Sequence, residues 1–240
     1  MKLEFYPLGD TGTQIVFGTE ISEETNQKIR MFAEHLTRHP IGGVIEWVPA
    51  YTTLSLYYRP DMITYRELRD KLESIYEKVQ GEVESSTSLI FEIPTYYGGE
   101  TGSDLSFVAE HNGISKEEVI SIHSSQDYLI YMMGFVPGFP YLGGMSKRIA
   151  TPRRENPRPR INVGSVGIAG EQTGIYPLET PGGWQIIGQT PLKLYDPNSN
   201  NPILLSSGHY LRFVPISESE YAEIENAIKL GEYTVKYFEK

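Results

Sequence analysis

The histidines and serines are the first residues to test for metal binding or nucleophilic catalysis. His35 and His39 lie four residues apart in a segment with helical periodicity, a spacing that lets two imidazoles bind one metal ion. No glutamate base lies between them, and a helix C-terminus, where they would lie, stabilises partial positive charge in any case. The Ser-Ser-Gly-His run at 206–209 is strand-like, so neighbouring side chains point to opposite faces. We therefore predict no metal site and no catalytic serine.

A glycine-hinged segment at residues 134–144, here called the aromatic–proline segment, holds three aromatic residues and two prolines. This composition excludes a regular strand or helix over its whole length. It forms either a rigid barrel corner that buries its own rings or a preorganised apolar lip that binds a partner, because loops on rigid scaffolds carry most binding sites. The residues that would contact such a partner are Phe135, Pro137, Phe139, Pro140, Tyr141 and Leu142.

Cations are concentrated in residues 147–160, here called the basic segment, in a chain of net charge -10. The cations are Lys147, Arg148, Arg153, Arg154, Arg158 and Arg160. One interpretation is a solvated loop that aids solubility. However, arginine forks match the geometry of carboxylate and phosphate groups, and prolines at 152, 157 and 159 stiffen the segment. We favour binding of an anion or of an acidic partner.

Composition restricts the remaining function classes. The 240 residues include no cysteine, which excludes disulfides, thiolate zinc sites, iron–sulfur clusters and cysteine nucleophiles. The acidic net charge of -10 argues against bulk binding of nucleic acid or of an anionic membrane. The first residues lack the apolar stretch of a signal peptide, and no window approaches the roughly 20 apolar residues of a membrane span. We expect a cytoplasmic protein.

The first 93 residues alternate between strand-like and helix-like periods. The expected strands are 3–8, 13–17, 44–48, 53–58 and 88–93. Gly9 and Asp10 form a hairpin turn between the first two strands. Helices are expected after Ser22, a plausible N-cap, and after Thr64, which forms a capping box with Glu67. Two helices that return over an antiparallel sheet indicate an α+β, ferredoxin-like domain over residues 1–93.

Residues 94–240 differ in composition, since they contain much of the glycine and proline, and they show few patterns typical of long helices. The expected strands are 128–133, 163–169, 185–188, 192–195, 203–205 and 211–214. Short helices are expected to end at Gly113 and to begin with capping boxes at Ser115 and Ser217. Short apolar runs that alternate with turns favour a closed, mainly β barrel with elaborate loops.

Several of these motifs together resemble a known family. They are YGGETGSDL at 97–105, GFVPGFPYLGG at 134–144, the long block TPRRENPRPRINVGSVGIAGEQTGIYPLETPGGWQIIGQTP at 151–191, and PLGD at 7–10. The sequence is similar, over essentially its whole length, to the family known as allophanate hydrolase subunit 1, as the B component of 5-oxoprolinase, or as the KipI-type sporulation kinase inhibitor. The resemblance implies a small N-terminal domain followed by a cyclophilin-like barrel. Fold alone does not imply prolyl isomerase activity.

The first function that the resemblance implies is that of the B component of an ATP-dependent 5-oxoprolinase, a hydrolase whose site is shared with subunits A and C. This chain alone would bind no cofactor and would be inactive, and ATP would be used by the complex. Arg153 or Arg154 would bind the substrate carboxylate or phosphate. Further candidates for the lining are Tyr97, Glu171, Gln172 and Thr173, with Trp184 as a wall. Gly208-His209 departs from the Gly-Asp of many relatives, which leaves that acidic position without an assigned role.

Two alternatives stay open at this stage. The resemblance to KipI implies a purely regulatory protein in two-component signalling. It would use the apolar lip to bind the dimerisation and phosphotransfer domain of a sporulation sensor histidine kinase, and would inhibit its autophosphorylation. The other alternative is a carboxyltransferase-like subunit of urea or allophanate metabolism, which would need a biotin-bearing partner. The chain itself has no biotinyl-lysine Met-Lys-Met motif.

Overall fold

The computed structural model describes residues 3–79, 88–134 and 136–240. The chain divides into two compact units, Met1–Ser86 and Thr87–Lys240, which we describe separately. Among the residues that the structure describes, none of the helices combines the length and the apolar character that crossing a bilayer requires.

The first unit contains a four-stranded sheet and two helices. Its elements are β1 (Glu4–Leu8), β2 (Gly12–Val16), α1 (Glu23–Arg38), β3 (Val44–Pro49), β4 (Thr53–Tyr58) and α2 (Tyr65–Val79). The strand order is β1-β2-β4-β3 and every pairing is antiparallel. Along β4, Leu54 and Leu56 alternate with less buried neighbours, because successive side chains of a strand point to opposite faces. They form a core with Phe32 of α1 and Leu68 of α2.

The α+β character expected for this unit is confirmed, but the ferredoxin-like label is not. A ferredoxin-like domain has the element order βαββαβ, whereas the described elements run ββαββα. The helix starts follow the capping signals. The Ser22 side chain accepts a hydrogen bond from the backbone N–H of Thr25, and the Glu67 carboxylate accepts one from the backbone N–H of Thr64.

The second unit is mainly β, as the sequence predicts. Its strands are β5 (Leu89–Tyr97), β6 (Tyr128–Met133), β7 (Pro140–Gly143), β8 (Arg158–Ile161), β9 (Ser165–Ala169), β10 (Gln172–Ile175), β11 (Thr180–Gly182), β12 (Gln185–Gln189), β13 (Tyr210–Ile216) and β14 (Tyr237–Glu239). Its helices are α3 (Leu105–Asn112), α4 (Lys116–Ser124) and α5 (Glu218–Leu230), with a 3-10 turn at Lys147–Ile149.

The large sheet of this unit is a nearly closed barrel. Its strand order is β10-β9-β12-β5-β13-β6-β7, with β14 on the edge of β5, while β8 and β11 form a separate pair. The end strands β10 and β7 lie beside one another. The barrel core is filled by aliphatic and aromatic side chains that include Ile93, Ile130, Ile168, Ile187 and Phe213.

The strand expected at residues 88–93 is the main correction to the predicted domain organisation. We expected it to close the first sheet, but β5 pairs in parallel with β13 and antiparallel with β12 and β14, all in the second unit. The partners lie about a hundred residues or more further along the chain, and a local apolar run gives no information about such pairing. The run at 88–93 therefore belongs to the barrel. The runs at 192–195 and 203–205 form only an isolated bridge, Tyr195 to Ile203.

Candidate functional site

A cleft with a volume of about 220 Å³ lies on the second unit, bounded by residues from the aromatic–proline segment, β10, β11 and the turn before β12. Three rings form its wall. Phe139 packs edge-to-face against Tyr176 and against Trp184, each at 5.9 Å between ring centroids, and Tyr176 packs against Trp184 at 6.1 Å. Such mutual packing holds all three rings in one arrangement. The result is a rigid apolar wall with polar groups at its edge.

Two glycines make room for these rings. A Cβ at Gly174 would lie 3.0 Å from the Trp184 ring and 3.4 Å from the Phe139 ring. A Cβ at Gly182 would meet the Tyr176 hydroxyl. Glycine is therefore needed at positions 174 and 182, because a larger residue would displace the rings of the wall.

Arg153 is the cation at the edge of the cleft. Its side chain is exposed and lines both this cleft and a neighbouring groove of about 490 Å³. Within the three described ranges, no carboxylate forms an ion pair with it. Burial raises the pKa of the Tyr176 phenol to about 12, with the Arg153 charge acting in the opposite direction. At neutral pH the cleft therefore offers a guanidinium and a protonated phenol, which are hydrogen-bond donors suited to an anion.

Arg154 has a different environment from its neighbour. Its Nη1 lies 3.1 Å from Oδ1 of Asp104, and Arg158 Nη2 lies 2.8 Å from the same oxygen. The Asp104 carboxylate is buried, and its Oδ2 accepts the backbone N–H of Ile186 at 2.6 Å. Asp104 precedes α3 but makes no side-chain cap bond there. Arg154 is thus held in an internal ion-pair network, and of the two candidate arginines only Arg153 faces the cleft.

The other cations of the basic segment do not form one anion-binding patch. They pair as Lys147 with Glu171, Arg148 with Glu118, and Arg160 with Glu179. These pairs are solvent-exposed and contribute little to stability. Glu171, predicted as a polar lining residue, lies in one of these surface pairs and does not line the cleft. Gln172, in contrast, does line it.

Tyr97 and Thr173 lie in the barrel interior, so their proposed place in the lining needs correction. The Tyr97 hydroxyl is 2.7 Å from Nδ1 of His123, and His123 Nε2 is 2.7 Å from the Thr173 hydroxyl. Thr173 in turn donates to the carbonyl of Gly167 at 3.1 Å. Because this bond uses the threonine proton, His123 must donate through Nε2 and accept from Tyr97 through Nδ1. All three side chains are buried, and burial lowers the pKa of His123 to about 3.

The aromatic–proline segment combines parts of both interpretations. Phe139 and Tyr141 line the cleft, and Pro137 is exposed. Pro140 and Leu142 are buried, because alternate residues of β7 point into the barrel. These two residues cannot be part of an exposed lip. Phe135 lies outside the described residues.

Sequence reasoning missed three residues that matter here: Tyr176, Asp104 as an ion-pair partner, and His123. Tyr176 and His123 lie within ordinary apolar patterns, and nothing in the neighbouring sequence indicates a special role for either residue. Asp104 lies directly before α3, where an acidic residue is typical of a helix start, and this local pattern gives no sign of an ion pair with arginines about fifty residues later.

Comparison with known proteins is consistent with the motifs noted above. Residues 3–205 match the family described as carboxyltransferase domain, subdomain C and D. The B component of 5-oxoprolinase from Bacillus subtilis (strain 168) is 47% identical over 232 residues, which cover 92% of this chain and 96% of that protein. The crystal structure of TTHA0988 is 38% identical with a TM-score of 0.75, and covers 86% of this chain and 40% of that one.

A more distant structure shares the fold. The urea carboxylase of Kluyveromyces lactis has a TM-score of 0.78 at 19% identity, covering 99% of this chain and 24% of that one. At this identity the likeness concerns the fold alone. The family match and the identity to the Bacillus protein over nearly all of both chains allow one conclusion. This chain belongs to the carboxyltransferase subdomain C and D family, in the group that contains the B components of 5-oxoprolinases.

Proposed function

We propose that this chain is the B component of an ATP-dependent 5-oxoprolinase and that its cleft binds the carboxylate and ring of 5-oxoproline. The observation that carries the proposal is Arg153, a cation without a carboxylate partner in the described residues, beside the protonated Tyr176 phenol and the Phe139–Trp184 wall. A guanidinium binds a carboxylate in a charge-assisted, two-pronged contact. The apolar wall packs against the methylene groups of a small lactam ring.

The reaction explains why such a chain would need partners. A lactam carbonyl is stabilised by amide resonance and resists attack by water. Transfer of the ATP γ-phosphoryl group to the amide oxygen makes the carbon electrophilic, and water then opens the ring to give glutamate, ADP and phosphate. The sequence contains no Walker-type glycine loop. Nucleotide binding is therefore assigned to subunits A and C, and this chain holds and orients the substrate.

The greater length of a related protein of known structure supports a site shared between subunits. This chain corresponds to 40% of the TTHA0988 chain, so the same fold occurs there within a longer polypeptide. In a protein of separate subunits, a second chain would take the place of the additional part. We extend the proposal to a cytoplasmic complex in which the barrel, taken as cyclophilin-like, presents its cleft to subunits A and C.

Reconstitution tests this proposal. We expect the purified chain to release no glutamate from 5-oxoproline, and we expect ATP-dependent release when subunits A and C are added. In that mixture Arg153→Gln should raise KM by about ten- to a hundredfold, because a hydrogen bond to a charged group contributes about 1.5–3 kcal/mol. Arg148→Gln, which removes an exposed cation paired with Glu118, is the matched control and should leave KM unchanged. Turnover by the isolated chain would contradict the shared site, and an unchanged KM in Arg153→Gln would contradict the role of the cleft.

The two alternative functions stay predictions from sequence. Burial of Pro140 and Leu142 removes part of the apolar lip on which kinase binding was argued. A carboxyltransferase role in urea metabolism is suggested by the shared fold with urea carboxylase, but a fold hosts many chemistries. Neither alternative is favoured by a specific contact in the cleft.

A further inference from the structure

One buried carboxylate connects the two sides of the cleft. Asp104 is 5% exposed and lies just before α3, outside the lining of the cleft. Its Oδ1 accepts from Arg154 and Arg158, on the chain segment that carries Arg153, and its Oδ2 accepts from Ile186, in β12 just after Trp184. The same carboxylate therefore contacts both the cation-bearing side and the ring-bearing side of the site.

Further hydrogen bonds join the segment around Arg153 to the segment around Trp184. The backbone N–H of Arg154 donates to the carbonyl of Gly183 at 2.7 Å, and the Gln185 amide donates to the carbonyl of Pro152 at 2.9 Å. Arg158 Nη1 also reaches the carbonyl of Trp184 at 3.5 Å. These bonds hold the backbone on either side of Arg153 against the backbone on either side of Trp184. Because the arginine itself is exposed, its direction depends on how this backbone is held.

We propose that Asp104 is the positioning residue of the site, and that it sets the distance between Arg153 and the Trp184 wall by holding Arg154, Arg158 and the Ile186 amide together. The proposal rests on the proposed function for its kinetic consequence, but its structural part concerns this chain alone. A buried carboxylate that pairs with two guanidinium groups is costly to remove, because both cations lose their carboxylate partner together. The contacts of Asp104 with the two arginines depend on its negative charge. An uncharged residue of the same shape therefore shows how much of its effect comes from that charge.

Asp104→Asn is the variant that makes this separation. An asparagine keeps a carbonyl oxygen for the Ile186 amide but loses the negative charge for the arginines. The matched control is Asp127→Asn, since Asp127 is also an aspartate paired with arginine, through Nε at 2.6 Å and Nη2 at 3.1 Å of Arg212, and neither residue lines the cleft. Should Asp104→Asn not fold, Arg154→Gln is the milder variant, because it removes one cation from Asp104 and leaves the bonds of Asp104 to Arg158 and Ile186 in place.

The first measurement requires no partner protein. The chain has two tryptophans, so in a Trp47→Phe background all tryptophan fluorescence comes from Trp184. We expect Asp104→Asn to increase acrylamide quenching of Trp184 and to shift its emission to the red, while Asp127→Asn leaves both unchanged. Unchanged quenching in Asp104→Asn would overturn the proposal, because Asp104 would then have no influence on Trp184. Equal increases in both variants would also overturn it, because the change would then reflect a general loss of packing.

The second measurement uses the complex reconstituted with subunits A and C. We expect Asp104→Asn to raise KM for 5-oxoproline by about tenfold with kcat within about twofold of the parent, as expected when a binding contact is misplaced. A KM unchanged from the parent, despite altered Trp184 quenching, would overturn the positioning of Arg153. If the parent complex shows no turnover, the proposed function fails, and the fluorescence comparison still decides whether Asp104 holds the two segments together.

Discussion

The buried histidine of the barrel allows a quantitative prediction about pH and stability. His123 is fully buried, and its ring is in contact with Phe213 at 4.4 Å and Tyr128 at 5.6 Å between centroids. Both ring nitrogens are hydrogen-bonded, to Tyr97 and Thr173. Because desolvation disfavours the imidazolium, the folded-state pKa is about 3 against an ordinary value of 6.5. The folded protein therefore keeps this side chain neutral.

The sign and the size of the effect follow from proton linkage. Above pH 6.5 the histidine is neutral in both states, and the contribution of the neutral side chain is fully present. As the pH falls from 6.5 towards 3, only the unfolded chain takes up the proton, so the stability is progressively lost. One pKa unit corresponds to about 1.4 kcal/mol, which gives a loss of about 2 kcal/mol between pH 7 and pH 5 and about 5 kcal/mol over the whole range.

His123→Gln isolates this contribution, since glutamine keeps a donor and an acceptor but does not titrate in this range. Urea unfolding at pH 7 and pH 5, followed through Trp184 in the Trp47→Phe background, reports on the unit that contains the histidine. We expect the variant to be less stable than the parent at pH 7 and to lose about 2 kcal/mol less between the two pH values. His111→Gln, at an exposed site, is the control for any general effect of replacing a histidine by glutamine. Equal pH dependence in His123→Gln and the parent would refute the reasoning.

Two further predictions concern Gly102, in the YGGETGSDL motif, and Phe139, in the wall of the cleft. A Cβ at Gly102 would clash with the backbone carbonyl oxygen of Ile187, so Gly102→Ala should lower the free energy of unfolding by about 1–3 kcal/mol in urea titrations. Gly42→Ala, at a site with nothing within 4 Å of the added Cβ, is the control and should change it by less than about 0.5 kcal/mol. Phe139→Leu removes the edge-to-face contact with Trp184. We expect it to raise KM of the reconstituted enzyme several-fold, while the midpoint of thermal unfolding shifts by only a few degrees. An unchanged KM would show that the ring wall does not contact substrate.

Local signals predicted the helices of the second unit correctly. The capping boxes at Ser115 and Ser217 are both present, with the serine accepting from the backbone and the glutamate three residues later returning the contact. Gly113 ends α3 in the left-handed conformation at φ 66°. These features depend on four or five neighbouring residues, so the sequence contains all the information that determines them.

Long-range pairing could not be predicted in the same way. The apolar run of β5 is compatible with either sheet, and its distant partners β12, β13 and β14 place it in the barrel. The adjacent Arg153 and Arg154 show the same limit within the site. The two residues have identical chemistry, and the difference between them comes from Asp104, fifty positions earlier in the chain. Sequence indicated the basic segment as a candidate site, but the different environments of its two adjacent arginines depend on tertiary contacts.

The chemistry of the cleft also explains what each member of the complex would have to supply. At neutral pH the Arg153 guanidinium and the Tyr176 phenol both hold their protons, since the phenol has a pKa of about 12. Such groups donate hydrogen bonds and do not accept a proton from water. His123, a residue type that often acts as a base, is buried with both nitrogens bonded and a pKa of about 3, so it is not available for that purpose. Under the proposed function, this chain therefore binds and orients the lactam, and activation of water and of the phosphoryl group falls to subunits A and C.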